Sequence, residues 1–469
     1  MNWKRALNLE QDVALLQSQQ ELNGVGFDVV KAWDTLEILH DELEQLKQEI
    51  LKEAPKRVTR PYSVPVNRPF LKSGGYAKPV LQWLGDDAET CGGPFTRIEW
   101  EELNLHSPQQ VKTYLLSLGW KPTEWNYKKD GKRIVKDEHG KPIKTSPKLT
   151  EDSYGSLPEG VGRRIARYNV VDHRRSLIYN IRRDGSRSGW LNNLREEDGV
   201  WKVTAEAIPQ ATPTGRYRHK IVVNVPKAKP QVIYGKEMRE LFIPTQPGWV
   251  MGGVDAKALE ARIEGHYTAY YDGGVYANEL LEGDPHTKNA NAFSEALGKE
   301  VIRDIAKNIK YALLYGAQPP KVAETAGCSL AGGKKLYDAF WANNPALEGL
   351  KRDVDKNAER RGYLIGIDGR KLFFRSPHSR LNLLFQNAGS VTVKQATRIM
   401  WGTFVPENGL RARIMVHQHD EWQGELPPEE TEIYTELSLN SFVQAGQDFN
   451  LNIPIEGDVT IGNNWAETH

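Results

Sequence analysis

Three short segments, far apart in the chain, hold residue types that could act together. VDAKALEAR carries Asp255, Glu260 and Arg262. RDIAKNIKYALLYGA carries Arg303, Lys307, Tyr311 and Tyr315, and MVHQHDEWQ carries His419, Asp420 and Glu421. Carboxylates from separate segments can gather magnesium, which prefers oxygen ligands and keeps waters, so few protein carboxylates suffice. Two such ions would activate an attacking hydroxyl and stabilise a leaving pyrophosphate. Phosphoryl chemistry of this kind asks for positioning and charge neutralisation more than covalent work.

The middle segment has a geometry of its own. Arg303, Lys307, Tyr311 and Tyr315 are four residues apart. On a helix each step turns 400°, so the four drift about 40° per turn and span ~18 Å along one side. Two cations followed by two aromatics form one stripe, suited to a triphosphate and then to a sugar and base. Taken alone, such a stripe reads as a salt-bridged surface helix with a packed aromatic edge. The acidic segments on either side favour the binding reading.

These groups must be carried by folded elements. WVMGGVD reads as a strand ending at Asp255, and RARIMVHQHD as another reaching Asp420; the stretch between is helical by pattern. Residues 9 to 53 also read as helix. Leu36, Leu39, Leu43, Leu46 and Ile50 make one apolar seam, and Gly24 and Gly26 interrupt before it. An intramolecular helical hairpin is expected there, in preference to a dimeric coiled coil. Residues 54 to 97 are rich in proline and read as irregular. SPQQVKTYLLSLGW returns to helix, with Ser107 as N-cap and Pro108 at the first helical position. Residues 128 to 148 hold eight Lys or Arg against three Asp or Glu, with hairpin turns expected at Gly131 and Gly140. Arg163, Arg164, Arg167, Arg174, Arg175, Arg182 and Arg183 form a second basic tract on a helix. The first tract reads equally as a solvated loop or a DNA-backbone contact; the second favours contact with DNA.

Composition narrows the class. The chain has 469 residues and a formal net charge of +1, so a nucleic-acid surface must come from local segregation of charge. Two cysteines, Cys91 and Cys328, make neither a disulfide framework nor a zinc cluster. No apolar run reaches the length of a membrane span, and the charged N-terminus does not read as a signal peptide. A reducing, cytoplasmic setting is expected.

In order and spacing the three segments resemble motifs A, B and C of family A DNA polymerases, the DNA polymerase I family, and look closest to the bacteriophage replicative branch. The resemblance covers roughly residues 8 to 469. It implies an α+β, right-hand polymerase with an antiparallel-sheet palm, helical fingers and a helical thumb. On that pattern residues 1–19 lead into the palm and 20–150 form the thumb with its Pro-rich and basic insertions. Residues 151–265 form the first palm segment, 266–390 the fingers, and 391–469 the second palm segment. The resemblance implies template-directed addition of dNTPs to a primer 3′ end, in phage genome replication, with two Mg2+ ions. Asp255 and Asp420 would bridge the ions, the Ala256 carbonyl would complete one site, and Glu421 would support them. His286, Arg303, Lys307, Tyr311, Tyr315 and Glu260 would bind the dNTP. Arg216, His378, Asn382, Gln386 and His419 would meet primer and template. The terminal NNWAETH resembles the phage ending and places His469 near the site.

Departures from the pattern are Ala261 for the usual leucine, Gln418 for an apolar residue, and a segment after Arg216 that is not Ser/Thr-rich. They touch duplex packing and spare every expected metal ligand. A single-subunit RNA polymerase and a non-catalytic DNA-binding subunit are the alternatives. Glu260 and the His419-Asp420-Glu421 run favour DNA synthesis over the first; Asp255, Asp420, Arg303 and Lys307 oppose the second. Proofreading members carry an exonuclease domain upstream; no such domain is expected in this sequence, and either truncation or separate encoding of the exonuclease would account for that. A separately encoded 3′-5′ exonuclease, a processivity factor, primed DNA and dNTPs are the expected partners of a monomer acting in the host cytoplasm.

Overall fold

The computed structural model describes residues 3–59, 65–96, 98–131, 133–138, 140, 142–182 and 184–469. Pro61, Lys132, Lys141 and Arg183 of the segments above lie outside the described residues. The chain forms two compact units, residues 34–177 and residues 1–33 with 178–469. The boundaries expected at 20 and 150 fall, respectively, inside the first helix and just before a short 3-10 turn.

Helix α1 (Trp3–Asn23) is followed by a three-residue strand β1 (Val25–Phe27) and then by helix α2 (Val29–Glu53). The expected hairpin is therefore a helix–strand–helix passage. Gly26 explains the strand: a Cβ there would stand 2.5 Å from the Pro244 carbonyl oxygen. Only a residue without a side chain admits so close a neighbour. The seam read from α2 is real, with Leu39, Leu43, Leu46 and Ile50 buried.

In the smaller unit the helix Pro108–Ser117 is capped as expected, Ser107 accepting from Gln110 N. Gly131 lies at a positive-φ turn between the paired strands Lys129–Asp130 and Arg133–Ile134. Helix α3 (Val161–Ile178) carries the arginine tract. Arg164 pairs with Glu53 and Arg167 with Glu42, both on α2; Arg163 pairs with Glu159 and Arg175 with Asp172. Within this unit these four arginines take part in ion pairs.

In the larger unit, β2 (Leu194–Glu197), β3 (Val200–Val203), β1 and β4 (Phe242–Ile243) make one antiparallel sheet in the order β2-β3-β1-β4. Then comes β5 (Val250–Ala256), followed by helices α4 (Leu259–Asp272), α5 (Val275–Glu282), α6 (Pro285–Leu297) and α7 (Arg303–Leu314). A long helix α8 (Arg380–Ile399) leads to the hairpin β6 (Arg413–Gln418) and β7 (Glu421–Leu426). Helix α9 (Thr431–Asp448) and β8 (Gly457–Gly462) close the chain. The second antiparallel sheet has the order β6-β7-β5-β8.

β5 is central because its glycines let neighbours approach. A Cβ on Gly252 would meet the Tyr434 ring at 2.4 Å, and one on Gly253 would meet the Thr468 carbonyl oxygen at 2.3 Å. Helix α9 packs over Gly252, where Tyr434 donates to the Gly252 carbonyl at 3.0 Å, while the C-terminal residues lie against Gly253. One apolar core runs from Val254 and Ala256 through Leu259 and Ile263 to Ala306, Ile309 and Leu313, and on to Leu384 and Ala388. Burial of each such Ile or Leu side chain contributes roughly 1.5–3 kcal/mol. No described helix is long and apolar enough to cross a membrane.

Candidate active site

Strand register brings the acidic residues together. β5 pairs with β7 so that Asp255 faces Glu421 and Val254 faces Trp422. β6 and β7 are joined by the two-residue turn His419–Asp420, with His419 in the left-handed region at φ 60°. Asp420 thus sits in the hairpin turn and not on a strand, and its carbonyl accepts from Ala256 N at 3.0 Å. On the other side of β5, Asp458 of β8 stands opposite Asp255, a neighbour that sequence reading missed. Period-two alternation in GDVTIG could have flagged it, but only with the pairing known.

Asp255 opens to solvent at the strand end, yet lies in a recess. Desolvation, then Asp420 and Glu421, push its carboxyl up to about 7. Glu421 is buried; one oxygen lies 2.7 Å from His469 Nδ1, and the other has no hydrogen-bond partner among the described residues. His469 is where the terminal motif led us to expect it. Among the described residues no three His, Cys, Asp or Glu side chains close into a metal cage. The donor set still fits magnesium. The Asp255 carboxylate at a strand end, the Asp420 carboxylate in the adjoining turn and the Ala256 carbonyl would offer oxygen ligands only, which suits an ion that keeps several waters. The mutual repulsion that helps to raise Asp255 is what a divalent cation would relieve.

Arg303, Tyr311 and Tyr315 of the helical stripe line a cavity of about 240 Å³. Ala306, Ile309 and Leu313 bury one face of α7, so Arg303 and Lys307 project from the other. Tyr315 caps the helix, its N–H still donating to the Tyr311 carbonyl at 2.9 Å. Gly316 follows with φ 87°, and a Cβ there would fall 2.1 Å from the His378 carbonyl oxygen, which accounts for the Tyr-Gly pair. The cavity wall gathers Glu260, His286, Arg303, Tyr311, Tyr315, Arg216, Asn382 and Gln386. Tyr315 donates to Glu260 Oε1 at 3.2 Å, and burial and the Glu260 charge raise its phenol above the usual range.

Asp284 is a residue the sequence reading passed over. It caps α6, accepting from the backbone N–H groups of His286 and Thr287, and pairs with Arg303 at 2.8 Å. Those hydrogen bonds, Arg303 first, hold its carboxyl well below the usual range. Asp-Pro at a helix start was the available signal. Burial, then the nearby cations Lys310 and Arg303, lower the pKa of His286 below the usual imidazole range.

Not every expected residue reaches this cavity. Lys307 is exposed on α7 and does not line it, and Asp255, Asp420 and Glu421 lie outside its wall. His378 sits behind α7 with its Nδ1 3.2 Å from Gln318. Arg216, Asn382 and Gln386 also line a second cleft that includes His419. Arg262 has a structural task, holding the Lys257 carbonyl at 2.9 Å and Glu456 at 2.7 Å.

The loop bearing Arg216 is tied from below. Asn387 donates to the Thr214 carbonyl at 3.1 Å, and Thr212 Oγ1 to the Arg216 carbonyl at 3.0 Å. Lys394, fully buried on α8, donates to the Pro209 carbonyl at 2.9 Å and pairs with Glu10 of α1 at 2.7 Å. Arg370 joins Glu10 at 2.7 Å and Asp368 at 2.6 Å.

Comparison with known proteins agrees with this geometry. The model for DNA polymerase family A matches residues 84–467. The DNA-directed DNA polymerase of Escherichia phage T7 is 27% identical over 99% of this chain and 70% of its own length. DNA polymerase I of Geobacillus stearothermophilus is 21% identical over 78% of this chain and 40% of its own. Among solved structures, the POL domain of Pol1 from M. smegmatis, in complex with DNA primer-template and dNTP, shares the fold. Its TM-score is 0.67 at 19% identity, covering 98% of this chain and 70% of that one. The chain belongs to DNA polymerase family A and is a DNA-directed DNA polymerase.

Proposed function

We propose that Asp255 and Asp420 hold two magnesium ions, with the Ala256 carbonyl completing one site, while dNTPs are added to the 3′ end of a primed template. The observation that carries this reading is the strand register that sets Asp255 beside Glu421 and the Asp420 turn. When bound, the ions would supply charge neutralisation and acidify the attacking hydroxyl. The rest falls to the chain itself. Arg303, Lys307 and His286 receive the triphosphate, with Asp284 fixing the Arg303 head. Tyr311, Tyr315 and Glu260 enclose the sugar and base. Arg216, Asn382, Gln386 and His419 meet the primer–template duplex, and His378 meets the template beyond it. Glu421, held by His469, orients the acidic end of the sheet. In this reading the β5–β8 sheet is the palm, α6 and α7 belong to the fingers, and the 34–177 unit is the thumb. Likeness to phage enzymes supports a place in phage genome replication, in the host cytoplasm. Primer extension with four dNTPs or four NTPs tests the reading: templated DNA is expected, and a preference for NTPs would overturn it.

Metal binding should depend on pH in a defined direction. The folded Asp255 carboxyl sits near 7 against an ordinary value of 3.8. Its protonation therefore favours the metal-free fold at low pH, and that contribution is lost as pH rises from about 4 through about 7. A divalent ion competes with the same proton, so its affinity should rise through that window and flatten above about 7. Calorimetry in buffers of differing ionisation enthalpy should find about one proton released in total as the site fills near pH 6 and almost none near pH 8.5. Affinity that is flat from pH 5.5 to 8.5 would count against the site.

Tyr311 lines the cavity beside Glu260, where a phenol can give the sugar a polar contact. Dideoxynucleotides should then be accepted readily by the wild type. Tyr311→Phe should raise the dNTP/ddNTP efficiency ratio by roughly tenfold, the worth of about one hydrogen bond. A ratio already large in wild type, or unmoved by the substitution, would remove the contact.

A further inference from the structure

Behind the stripe of α7 lies a charge cluster that the reaction described above does not use. Lys310 and Glu264 are each 3% exposed, and their Nζ and Oε2 are 3.2 Å apart. Tyr276 of α5 donates to the other Glu264 oxygen at 2.6 Å, and the Lys310 ammonium stands 5.7 Å from the Tyr276 ring centroid. Both oxygens of the carboxylate are thus engaged. Yet both charged residues also line the cavity that holds Glu260, His286 and Tyr311.

Their places in the sequence matter. Lys310 directly precedes Tyr311 on α7. Glu264 follows Glu260 by four residues on α4, so the two glutamates share a helix face one turn apart. An apolar pair of the same volume would often stabilise the fold as well or better, because two charges must be desolvated here. The cost points to a task other than stability. Lys310 is also the leading charged neighbour of His286, after burial the first cause of its lowered pKa.

We propose that Lys310 and Glu264 are positioning residues for the incoming nucleotide, clamping α7 to α4 so that Tyr311 and Glu260 face one another at a fixed separation across the sugar subsite. The inference rests on the reading that this cavity takes the dNTP. Misplacement by about 1 Å far from the reacting atoms can cost roughly 10²-fold in rate. A clamp that sets the spacing of two sugar contacts should therefore act on nucleotide use and leave duplex binding alone.

The test is the full chain carrying Lys310→Met with Glu264→Gln, which removes both charges and keeps an acceptor for Tyr276. Single-nucleotide insertion, duplex affinity and the ddNTP/dNTP ratio are measured beside wild type. The expected result is a normal melting transition, unchanged duplex affinity, a roughly tenfold rise in KM for dNTP with a smaller change in kcat, and a shifted ddNTP/dNTP ratio. A folded double variant with wild-type KM and ratio would overturn the clamp. If the double variant does not fold, Lys310→Arg keeps the cation on a longer, forked side chain; an unaltered KM in that variant overturns the clamp equally. Absence of dNTP insertion by the wild type would sink the reading of the cavity, a separate outcome from failure of the clamp.

Discussion

Asp255→Asn and Asp420→Asn should each lower single-turnover nucleotide incorporation by roughly 10³-fold or more, since several kcal/mol of charge stabilisation depends on these oxygens. Duplex affinity should stay within a few-fold of wild type, because most of it comes from phosphate contacts elsewhere. Asp255→Asn offers an internal control. Its carboxyl is raised to about 7 by desolvation and by Asp420 and Glu421, so the neutral amide relieves repulsion in the metal-free fold. At pH 8 the variant should melt no lower than wild type. Loss of incorporation in a protein of undiminished stability cannot be blamed on misfolding. Near-normal incorporation by either variant would remove the assignment of these two residues.

The second large effect concerns sugar choice. Glu260 is held by the Tyr315 phenol at 3.2 Å, at the wall of the cavity that also holds Tyr311. By the family resemblance this carboxylate closes the space beside the ribose 2′ position. Glu260→Ala should open that space and free Tyr315, and the preference for dNTP over rNTP should fall by roughly 10²-fold. The measurement is the ratio of kcat/KM values for matched dATP and ATP. Selectivity that holds at the wild-type level in an active variant would show that another group excludes the 2′ hydroxyl.

The chemistry was more legible in the sequence than the scaffold. Asp255, Asp420 and Glu421 stood out only through their flanking segments, since a single acidic residue is usually a surface or cap residue; the pairing of Asp255 with Glu421 across β5 and β7 was not legible. The α7 stripe was readable because a four-residue spacing fixes side-chain direction on a helix. Strand β1 was hidden: Val25–Phe27 is three residues long, and its partners lie at Lys202–Val203 and Phe242–Ile243. The ion pairs of the α3 arginines were hidden because Glu42 and Glu53, which pair with Arg167 and Arg164, precede them by more than a hundred residues. Lys310 lies off the four-residue spacing of the stripe, and nothing in the sequence singled it out. Only tertiary packing against Glu264 and Tyr276 makes it a buried cation facing the site. The burial of Glu421 and its contact with His469, the last residue of the chain, depend on tertiary packing as well.

The central claim is that Asp255 and Asp420 hold the ions beside a dNTP seated on α7. The most direct measurement is an anomalous difference map from crystals of this chain with a 3′-deoxy-terminated primer on its template, the matched dNTP and manganese. The account predicts manganese peaks within coordination distance of both carboxylates, with the triphosphate reaching Arg303 and Lys307. Ions bound away from Asp255 and Asp420, in a complex with the dNTP in place, would contradict it.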